Sequence, residues 1–335
     1  MRAVRFQVGG NIELIDLPTP EPAEGEVLVR VQGAGVCGTD LHLLHDVAAG
    51  RRAPLVPGHE VAGTVAKVGP GVGRVHAGDA VVVHFELPCG KCRACIRKRT
   101  NLCENGDALG FSVPGGYAEY VRVPEDVVLT APGALDLDIA ATLACSGATA
   151  YHTVVTLGGA DERDIVAVIG AGGVGLSAVQ VARARGASVV AVDVREAARR
   201  AATDVGADAV AGPGDALAAI LAASRDRGAD LVVDLVSIPE TMRLGVAALA
   251  AGGRLVEVAP GAEGIAVSPG LLMEKEIALI GAHSSTMADF ARAVDLADAR
   301  LLKPVVTRTE SLADAATVLR DLEDGKVVGR AVLRP

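Results

Sequence analysis

Residues 165–175 of this 335-residue chain read Ile-Val-Ala-Val-Ile-Gly-Ala-Gly-Gly-Val-Gly, and this stretch decides the fold of the second half of the chain. The apolar run predicts a buried strand, and the glycines that follow have the spacing of a phosphate-binding turn that opens a helix. Gly170 would permit the tight bend, Gly172 would let a pyrophosphate approach the backbone, and Gly175 would let helix and strand pack closely. The phosphates would bind the free N–H groups at the start of the helix. The turn residues predicted to bind a cofactor are Gly170, Gly172, Gly173, Val174 and Gly175.

The next predicted strand, Ser188 to Val192, is followed by Asp193, as a dinucleotide site requires. Its carboxylate would accept hydrogen bonds from the hydroxyls of the adenosine ribose and repel a 2′-phosphate, which favours NAD over NADP. Arg195 is a further candidate cofactor contact, and it opposes that preference because a guanidinium can hold a phosphate. The alternative, in which the glycines serve only a turn, stays open at this point.

Strands and helices alternate through this half of the chain, which predicts an α/β fold with a doubly wound parallel sheet of the Rossmann type. The helices are predicted at 138–143, 147–157, 174–185, 195–205 and 240–250. The strands are predicted at 165–169, 188–192, 231–234, 254–258 and 277–280.

The first third of the chain has a different pattern, with many short strands separated by Gly and Pro. Strands are predicted within 1–35, at 61–68 and 79–84, and from 115 to 120. Two amphipathic helices near 287–299 and 311–323 and a last strand near 329–333 read as a return to this β-rich domain. The predicted domains are therefore 1–146 with 287–335, and 147–286.

Four of the six cysteines lie within one short segment, at positions 89, 92, 95 and 103. This spacing lets four thiolates converge on one tetrahedral ion, so the segment 89–103 predicts a structural zinc site with no open position. In a chain of this length, such a cluster favours a metal site over a disulfide framework. The predicted ligands are Cys89, Cys92, Cys95 and Cys103.

The two remaining cysteines, Cys37 and Cys145, are far apart in sequence, and His59 lies in a Gly-His-Glu triplet. One histidine and two cysteines can form a three-ligand zinc site that leaves the fourth position for water or substrate. Taken alone, each residue is more often a buried or surface residue than a ligand. The prediction depends on the way six thiols divide into four plus two.

Charge and hydropathy exclude other classes of protein. The formal net charge is −9, which argues against nucleic acid as a partner. We find no apolar run of about 20 residues that would indicate a membrane helix. Residues 1–10 lack the apolar core of a signal peptide, so a cytoplasmic location is expected.

These motifs and their order resemble those of the zinc-dependent medium-chain alcohol dehydrogenases, and the resemblance spans nearly the whole chain. The resemblance rests on Cys37-Gly38-Thr39-Asp40-Leu41-His42, Gly58-His59-Glu60, the four-cysteine segment, Cys145 before Thr149-Ala150-Tyr151, the glycine turn with Asp193, and Gly329-Arg330. It implies a GroES-like, β-rich catalytic domain formed by both ends of the chain, with a Rossmann domain inserted between them. Two zinc ions and NAD are the implied cofactors.

The resemblance also implies roles for residues around the first metal site. Cys37, His59 and Cys145 match the catalytic zinc ligands, the set known from alcohol dehydrogenases. Glu60 matches the acid that can approach the metal when water leaves. Asp40 matches the carboxylate that orients a ligand histidine.

Further matches concern proton transfer and the cofactor. Thr39 matches the hydroxyl that contacts the substrate alcohol, and His42 matches the histidine that passes the proton to solvent. Arg330 matches a pyrophosphate contact, and Thr149 is a further implied cofactor contact. In the implied mechanism, zinc acts as a Lewis acid on the substrate oxygen, and a hydride passes from the substrate carbon to the nicotinamide.

Three positions depart from the family pattern. Gly38 replaces a basic residue found in some relatives and is similar to polyol and threonine dehydrogenases. Those relatives usually have a glutamate as third ligand, where this chain has Cys145. Ala198 stands where a basic residue often meets the ribose.

Phe85 and Phe111 are candidate walls of an otherwise aliphatic substrate pocket.

The predicted function is therefore hydride transfer between a primary or secondary alcohol and NAD, giving an aldehyde or ketone. A polyol or amino-alcohol dehydrogenase is the nearest alternative. The others are a non-catalytic, zinc-stabilised NAD-binding protein and a zinc-free quinone or enoyl reductase, which the full ligand set disfavours. A homo-oligomer, either a tetramer or a dimer, is expected by analogy through strands near 265–281.

Overall fold

The computed structural model describes residues 1–261 and 263–335 and divides into two compact units. Unit 1 comprises residues 1–145, 286–300 and 304–335. Unit 2 comprises residues 146–285 and 301–303. Strands and helices are numbered in chain order through both units.

Unit 1 is built on a seven-stranded, mainly antiparallel sheet in the order β16-β17-β3-β4-β5-β9, in which β8 also pairs with β3. Two further pairs, β1 with β2 and β6 with β7, lie outside this sheet. The strands are β1 Arg2–Phe6, β2 Ile12–Asp16, β3 Glu26–Val36, β4 Glu60–Val68, β5 Ala80–Val83, β6 Glu86–Leu87, β7 Asp107–Ala108, β8 Tyr120–Pro124, β9 Val128–Thr130, β16 Val306–Ser311 and β17 Arg330–Arg334. The helices are α1 Gly38–Ala48, α2 Arg93–Ile96, α3 Leu137–Ala141, α10 Met287–Asp298 and α11 Ala315–Glu323.

The long strand β3 is central to unit 1 because it pairs with β4, β8 and β17. Its valines at 27, 29 and 31 are buried in one apolar core with side chains from β4, β5 and α11. Beta-branched side chains pack well on such a pleated, half-buried surface, which accounts for the valine-rich sequence. The carboxyl end of β3 leads directly into α1.

Unit 2 contains a six-stranded parallel sheet in the order β12-β11-β10-β13-β14-β15. The strands are β10 Ile165–Ile169, β11 Ser188–Val192, β12 Ala209–Ala211, β13 Ala229–Asp234, β14 Leu249–Glu257 and β15 Ala278–Gly281. The helices are α4 Ser146–Tyr151, α5 Gly173–Ala184, α6 Glu196–Asp204, α7 Ala216–Ala223, α8 Pro239–Ala248 and α9 Pro269–Lys275.

The sheet order reverses between β10 and β13, which places a topological switch point at the end of β10, where ligands bind in folds of this kind. Ile169 pairs with Val192 on one side and Asp234 on the other, so the carboxyl ends of three strands are level. The predicted α/β fold class is confirmed.

Several predicted elements differ in detail. The helix predicted at 240–250 ends at Ala248, because Leu249 already pairs with Ala229 as the first residue of β14. The helix predicted at 147–157 continues beyond α4 as a π-helix, His152–Leu157. Periodicity also missed several elements, which are α1, α2, α7, α9, β6, β7, β9, β12 and β16.

Candidate active site

Four side chains of the types that bind metal ions meet in unit 1, although they come from three separate parts of the chain. Their ligand atoms all lie within 4.8 Å of one another, and Cys37, His59, Glu60 and Cys145 are all buried. The register of β3 and β4 places Gly35 opposite Glu60, which brings the loop after β3 beside the start of β4. A buried group of two thiols, one imidazole and one carboxylate has the chemistry of a transition-metal site and fits zinc.

Neighbouring groups shift the pKa values of the two thiols and of His59. The hydrogen bond from Cys145 is the largest cause that lowers the pKa of Cys37 well below its usual range, and Arg330 acts in the same direction. The same hydrogen bond raises the pKa of Cys145. Burial lowers the pKa of His59, but Asp40 and Cys37 together leave it raised. The contact between the two thiols therefore favours the thiolate form of Cys37 over that of Cys145.

Glu60 is paired with a buried arginine from the last strand. Arg330 Nε donates to Glu60 Oε1 at 2.9 Å, and its Nη2 lies 3.3 Å from Cys37 Sγ. Burial raises the pKa of Glu60 to about 7, against the opposing effect of Arg330. A Cβ added at Gly35 would lie 2.0 Å from Glu60 Oε2, so only glycine leaves room for this carboxylate.

Sequence reasoning missed this contact. Arg330 was predicted as a pyrophosphate contact, and that role stays a prediction. One signal in the sequence could have predicted an ion pair. Arg330 stands at the start of an apolar strand, and a charge that is buried there needs a partner of opposite charge.

Asp40 connects the cluster to the backbone. Its Oδ2 accepts hydrogen bonds from the N–H of Cys37 and the hydroxyl of Tyr117, both at 2.9 Å. Its Oδ1 lies 3.3 Å from His59 Nδ1. This geometry leaves His59 Nε2 as the ring nitrogen available to a metal, which is the arrangement usual for ligand histidines. Tyr117 was not predicted as a site residue.

The predicted proton-transfer residues and pocket walls surround the cluster. Thr39 Oγ1 lies 3.6 Å from Cys37 Sγ, and His42, on the same helix, is exposed. The rings of Phe85 and Phe111 lie 5.2 Å and 5.3 Å from the His59 ring, measured between centroids. The two phenylalanines thus form an apolar wall against the imidazole.

The second thiol cluster lies in the segment that joins β6 to β7. Cys92 Sγ lies 3.6 Å from Cys95 Sγ and 3.8 Å from Cys103 Sγ, and Cys89 completes the group. Backbone N–H groups of Cys95 and Glu104 lower the pKa of Cys92 to about 6. Four converging thiols, none of them in a disulfide, fit a closed tetrahedral zinc site.

The glycine turn in unit 2 has the geometry of a phosphate-binding loop. Gly170 has a φ of +95°, which a residue with a side chain rarely adopts. A Cβ added at Gly175 would lie 1.9 Å from the carbonyl oxygen of Gly170, whereas one added at Gly172 would meet no atom within 4 Å. Gly172 is the N-cap of α5, so Gly173 and Val174 are at the helix start, where N–H groups lack partners within the helix.

Asp193 borders this turn. Its Oδ2 accepts the N–H of Ala171 at 2.8 Å, and its Oδ1 accepts the N–H of Arg195 at 2.8 Å. Arg195 Nε lies 3.4 Å from the same oxygen, so the guanidinium of Arg195 is paired with the carboxylate of Asp193. Ala198 is fully buried in α6. Thr149 is a buried residue of α4.

Among the described residues, the structure contains no helix that is long and apolar enough to cross a membrane.

A parallel sheet with a phosphate-binding turn, carried by the same chain as two thiol-rich metal sites, defines the class of zinc-dependent dinucleotide enzymes. Residues 23–133 match the family model of the alcohol dehydrogenase GroES-like domain, and residues 173–299 match that of the zinc-binding dehydrogenases. The chain belongs to the zinc-dependent medium-chain alcohol dehydrogenase family.

Full-length relatives support this membership. The chain is 35% identical to an NAD-dependent alcohol dehydrogenase of Sulfurisphaera tokodaii, with all of both chains covered. It is also 35% identical to an L-threonine 3-dehydrogenase of Streptomyces coelicolor, with 93% of each covered. A cobalt- and zinc-bound thermostable alcohol dehydrogenase from Pyrobaculum aerophilum superposes with a TM-score of 0.89 at 34% identity, covering 100% of this chain and 99% of that one. These similarities confirm the predicted class, a zinc- and NAD-dependent oxidoreductase that acts on an alcohol.

Proposed function

We propose that the chain oxidises primary or secondary alcohols with NAD, and that Cys37, His59 and Cys145 hold the catalytic zinc, with Glu60 as an occasional fourth ligand. The observation that supports this most directly is the convergence of those four buried side chains on a common centre. In the same proposal, the four-cysteine segment 89–103 holds a structural zinc.

When bound, zinc supplies Lewis-acid polarisation of the substrate oxygen, and NAD accepts the hydride. The side chains of the protein supply the rest of the chemistry. Asp40 fixes the orientation of His59, and the wall of Phe85 and Phe111 keeps water from one side of that ring. Thr39 relays the substrate proton, because its hydroxyl gives up its own proton as it accepts the new one, and His42, which is exposed, passes the released proton to solvent.

The cofactor site that we propose is the turn after β10. The pyrophosphate of NAD would accept hydrogen bonds from the N–H groups of Gly173 and Val174, and Asp193 would accept hydrogen bonds from the ribose hydroxyls. Thr149, Arg195 and Arg330 are proposed as further cofactor contacts. We assign catalysis to residues 1–146 and 287–335, and NAD binding to residues 147–286.

A second candidate is oxidation of an amino alcohol or a polyol. Gly38 follows the first thiol ligand, as in polyol and threonine dehydrogenases, and threonine 3-dehydrogenases are among the relatives. We also propose a cytoplasmic homo-oligomer, a tetramer or a dimer. It would form through β15, which is the last strand of its sheet and carries a Leu279 side chain that is 43% exposed.

The test combines metal analysis with a substrate panel. The wild-type protein is expected to contain two zinc ions per chain and to reduce NAD with simple alcohols faster than with polyols or threonine. Cys37→Ser should lose one zinc and the activity, because a hydroxyl does not replace a thiolate ligand. Cys92→Ser is the matched control and should lose the other zinc. Retention of two zinc ions in Cys37→Ser would refute the ligand assignment, and a preference for threonine would establish the second candidate.

A further inference from the structure

Tyr117 has a place in the site that no prediction assigned to it. The side chain is fully buried, and its hydroxyl donates to Asp40 Oδ2 at 2.9 Å. The carbonyl oxygen of Gly35, at 3.5 Å, is only a distant second partner. The hydroxyl is therefore directed at the carboxylate that lies 3.3 Å from the ring of His59.

The ring of Tyr117 is also packed against the loop that carries His59. A Cβ added at Gly58 would lie 2.4 Å from Cδ1 of the ring and 2.6 Å from the backbone nitrogen of Tyr117. The N–H of Tyr117 donates to Pro57 O at 3.0 Å, and the N–H of Gly116 donates to Gly58 O at 2.7 Å. The loop before His59 thus lies directly on the backbone and ring of Tyr117.

The hydrogen bonds of Asp40 explain what the hydroxyl contributes. Oδ2 accepts two donors, the Tyr117 hydroxyl and the Cys37 N–H. Oδ1 lies 3.3 Å from His59 Nδ1 as an ion-pair contact, and among the described residues neither of these two atoms has a hydrogen-bond partner. Two donors on one oxygen fix the rotation of a carboxylate about its last bond. With Oδ2 held in this way, Oδ1 is kept facing the imidazole.

We propose that Tyr117 is a positioning residue of the metal site, which acts through Asp40 to fix the orientation of His59. This inference rests on the proposed zinc ligands. The hydroxyl holds Asp40, the Oδ1 of Asp40 faces His59 Nδ1 at 3.3 Å, and the opposite nitrogen, Nε2, is left for the metal. Outer partners of this kind typically change metal affinity or activity about 10- to 100-fold when they are removed.

The packing of the ring alone does not account for a tyrosine at this position. Phenylalanine would fill the same volume, and a buried hydroxyl is costly unless it has a partner. The property of tyrosine that phenylalanine lacks is the bond to Asp40. Removal of that single oxygen therefore separates the positioning role from the packing role.

The experiment compares Tyr117→Phe with Tyr120→Phe, which removes a hydroxyl from a half-buried tyrosine three residues away. Zinc release from the purified, zinc-loaded proteins is followed with a colorimetric chelator. The release phase that Cys37→Ser lacks identifies the ions held by Cys37, His59 and Cys145. In Tyr117→Phe this phase should be about 10-fold faster, with the other phase unchanged, and Tyr120→Phe should match the wild type.

A cobalt spectrum provides a second readout that packing alone would not change. With Co²⁺ in place of this zinc, the visible absorption bands should shift or broaden in Tyr117→Phe, because the imidazole is less well oriented. Adding Tyr117→Phe to an Asp40→Asn protein should cause no further shift if Tyr117 acts through Asp40.

Each outcome decides between two interpretations. A wild-type protein that binds only one zinc overturns the proposed ligand set and this inference with it. A wild type with two zinc ions and a Tyr117→Phe variant with unchanged release and spectrum overturn this inference alone. A lower thermal midpoint without a change in release or spectrum also overturns it, because it would indicate a purely structural role.

Discussion

Two glycines of the turn after β10 offer a test that separates cofactor binding from folding. Gly172 and Gly175 are three residues apart, but their surroundings in the protein are opposite. A methyl group at Gly172 would meet no protein atom within 4 Å, and its φ of −82° suits alanine. If this position requires glycine, the requirement comes from the ligand.

The expected magnitudes follow from these contacts. Gly172→Ala should leave the free energy of unfolding within about 0.5 kcal/mol of the wild type, since alanine fits the backbone. It should lower the affinity for NAD by about 10- to 100-fold, because a methyl group on the turn keeps the pyrophosphate too far from the backbone to form one or two charge-assisted hydrogen bonds. Gly175→Ala places a Cβ 1.9 Å from Gly170 O, well inside ordinary contact at 3.4 Å, so the start of α5 must move. It should destabilise the protein by about 1–3 kcal/mol.

The assay measures two quantities for each variant: NADH affinity by fluorescence titration, and unfolding by urea with a circular dichroism signal. The expected pattern is weak binding with normal stability for Gly172→Ala, and reduced stability for Gly175→Ala. Wild-type NADH affinity in Gly172→Ala would refute the approach of a pyrophosphate to this turn. Unchanged unfolding of Gly175→Ala would refute the close packing of α5 on Gly170.

Three further predictions concern proton transfer, the loop before His59, and surface charge. His42→Ala should slow alcohol oxidation most below neutral pH, where solvent is a poor proton acceptor; a pH–rate profile parallel to the wild type would argue against the relay. Gly58→Ala should cost about 2 kcal/mol or more in urea unfolding, because φ is +98° and the added Cβ meets Tyr117, whereas Gly38→Ala, with open space around it, should cost little. Hydrogen bonds from Arg308 and then Lys326 lower the pKa of Asp321, so this group stabilises the fold above its unfolded pKa of about 3.9 and the effect is lost as pH falls. Arg308→Gln should therefore lower the thermal midpoint at pH 7 but much less at pH 3, and an equal change at both pH values would contradict this.

The elements that sequence alone predicted well are those controlled by short-range effects. The strands at 165–169 and 188–192 have the predicted limits, because an apolar run bounded by glycine or a charged residue has few alternatives. Helix α1 was missed because its segment begins with Cys-Gly-Thr-Asp, which reads equally well as a turn. Helix α8 was predicted too long because pairing of Leu249 with Ala229 outweighs the helical preference of an alanine-rich segment.

The sequence by itself determined the chemistry that the chain can perform: six thiols in a four-plus-two division, one histidine beside a glutamate, and a glycine turn between a strand and an acidic residue. Only the tertiary structure decided which distant groups touch. Arg330 reaches Glu60 across 270 residues, and Tyr117 reaches Asp40 across 77. Such partners are chosen by sheet register, here β17 and β4 on either side of β3, and register depends on the packing of the whole core.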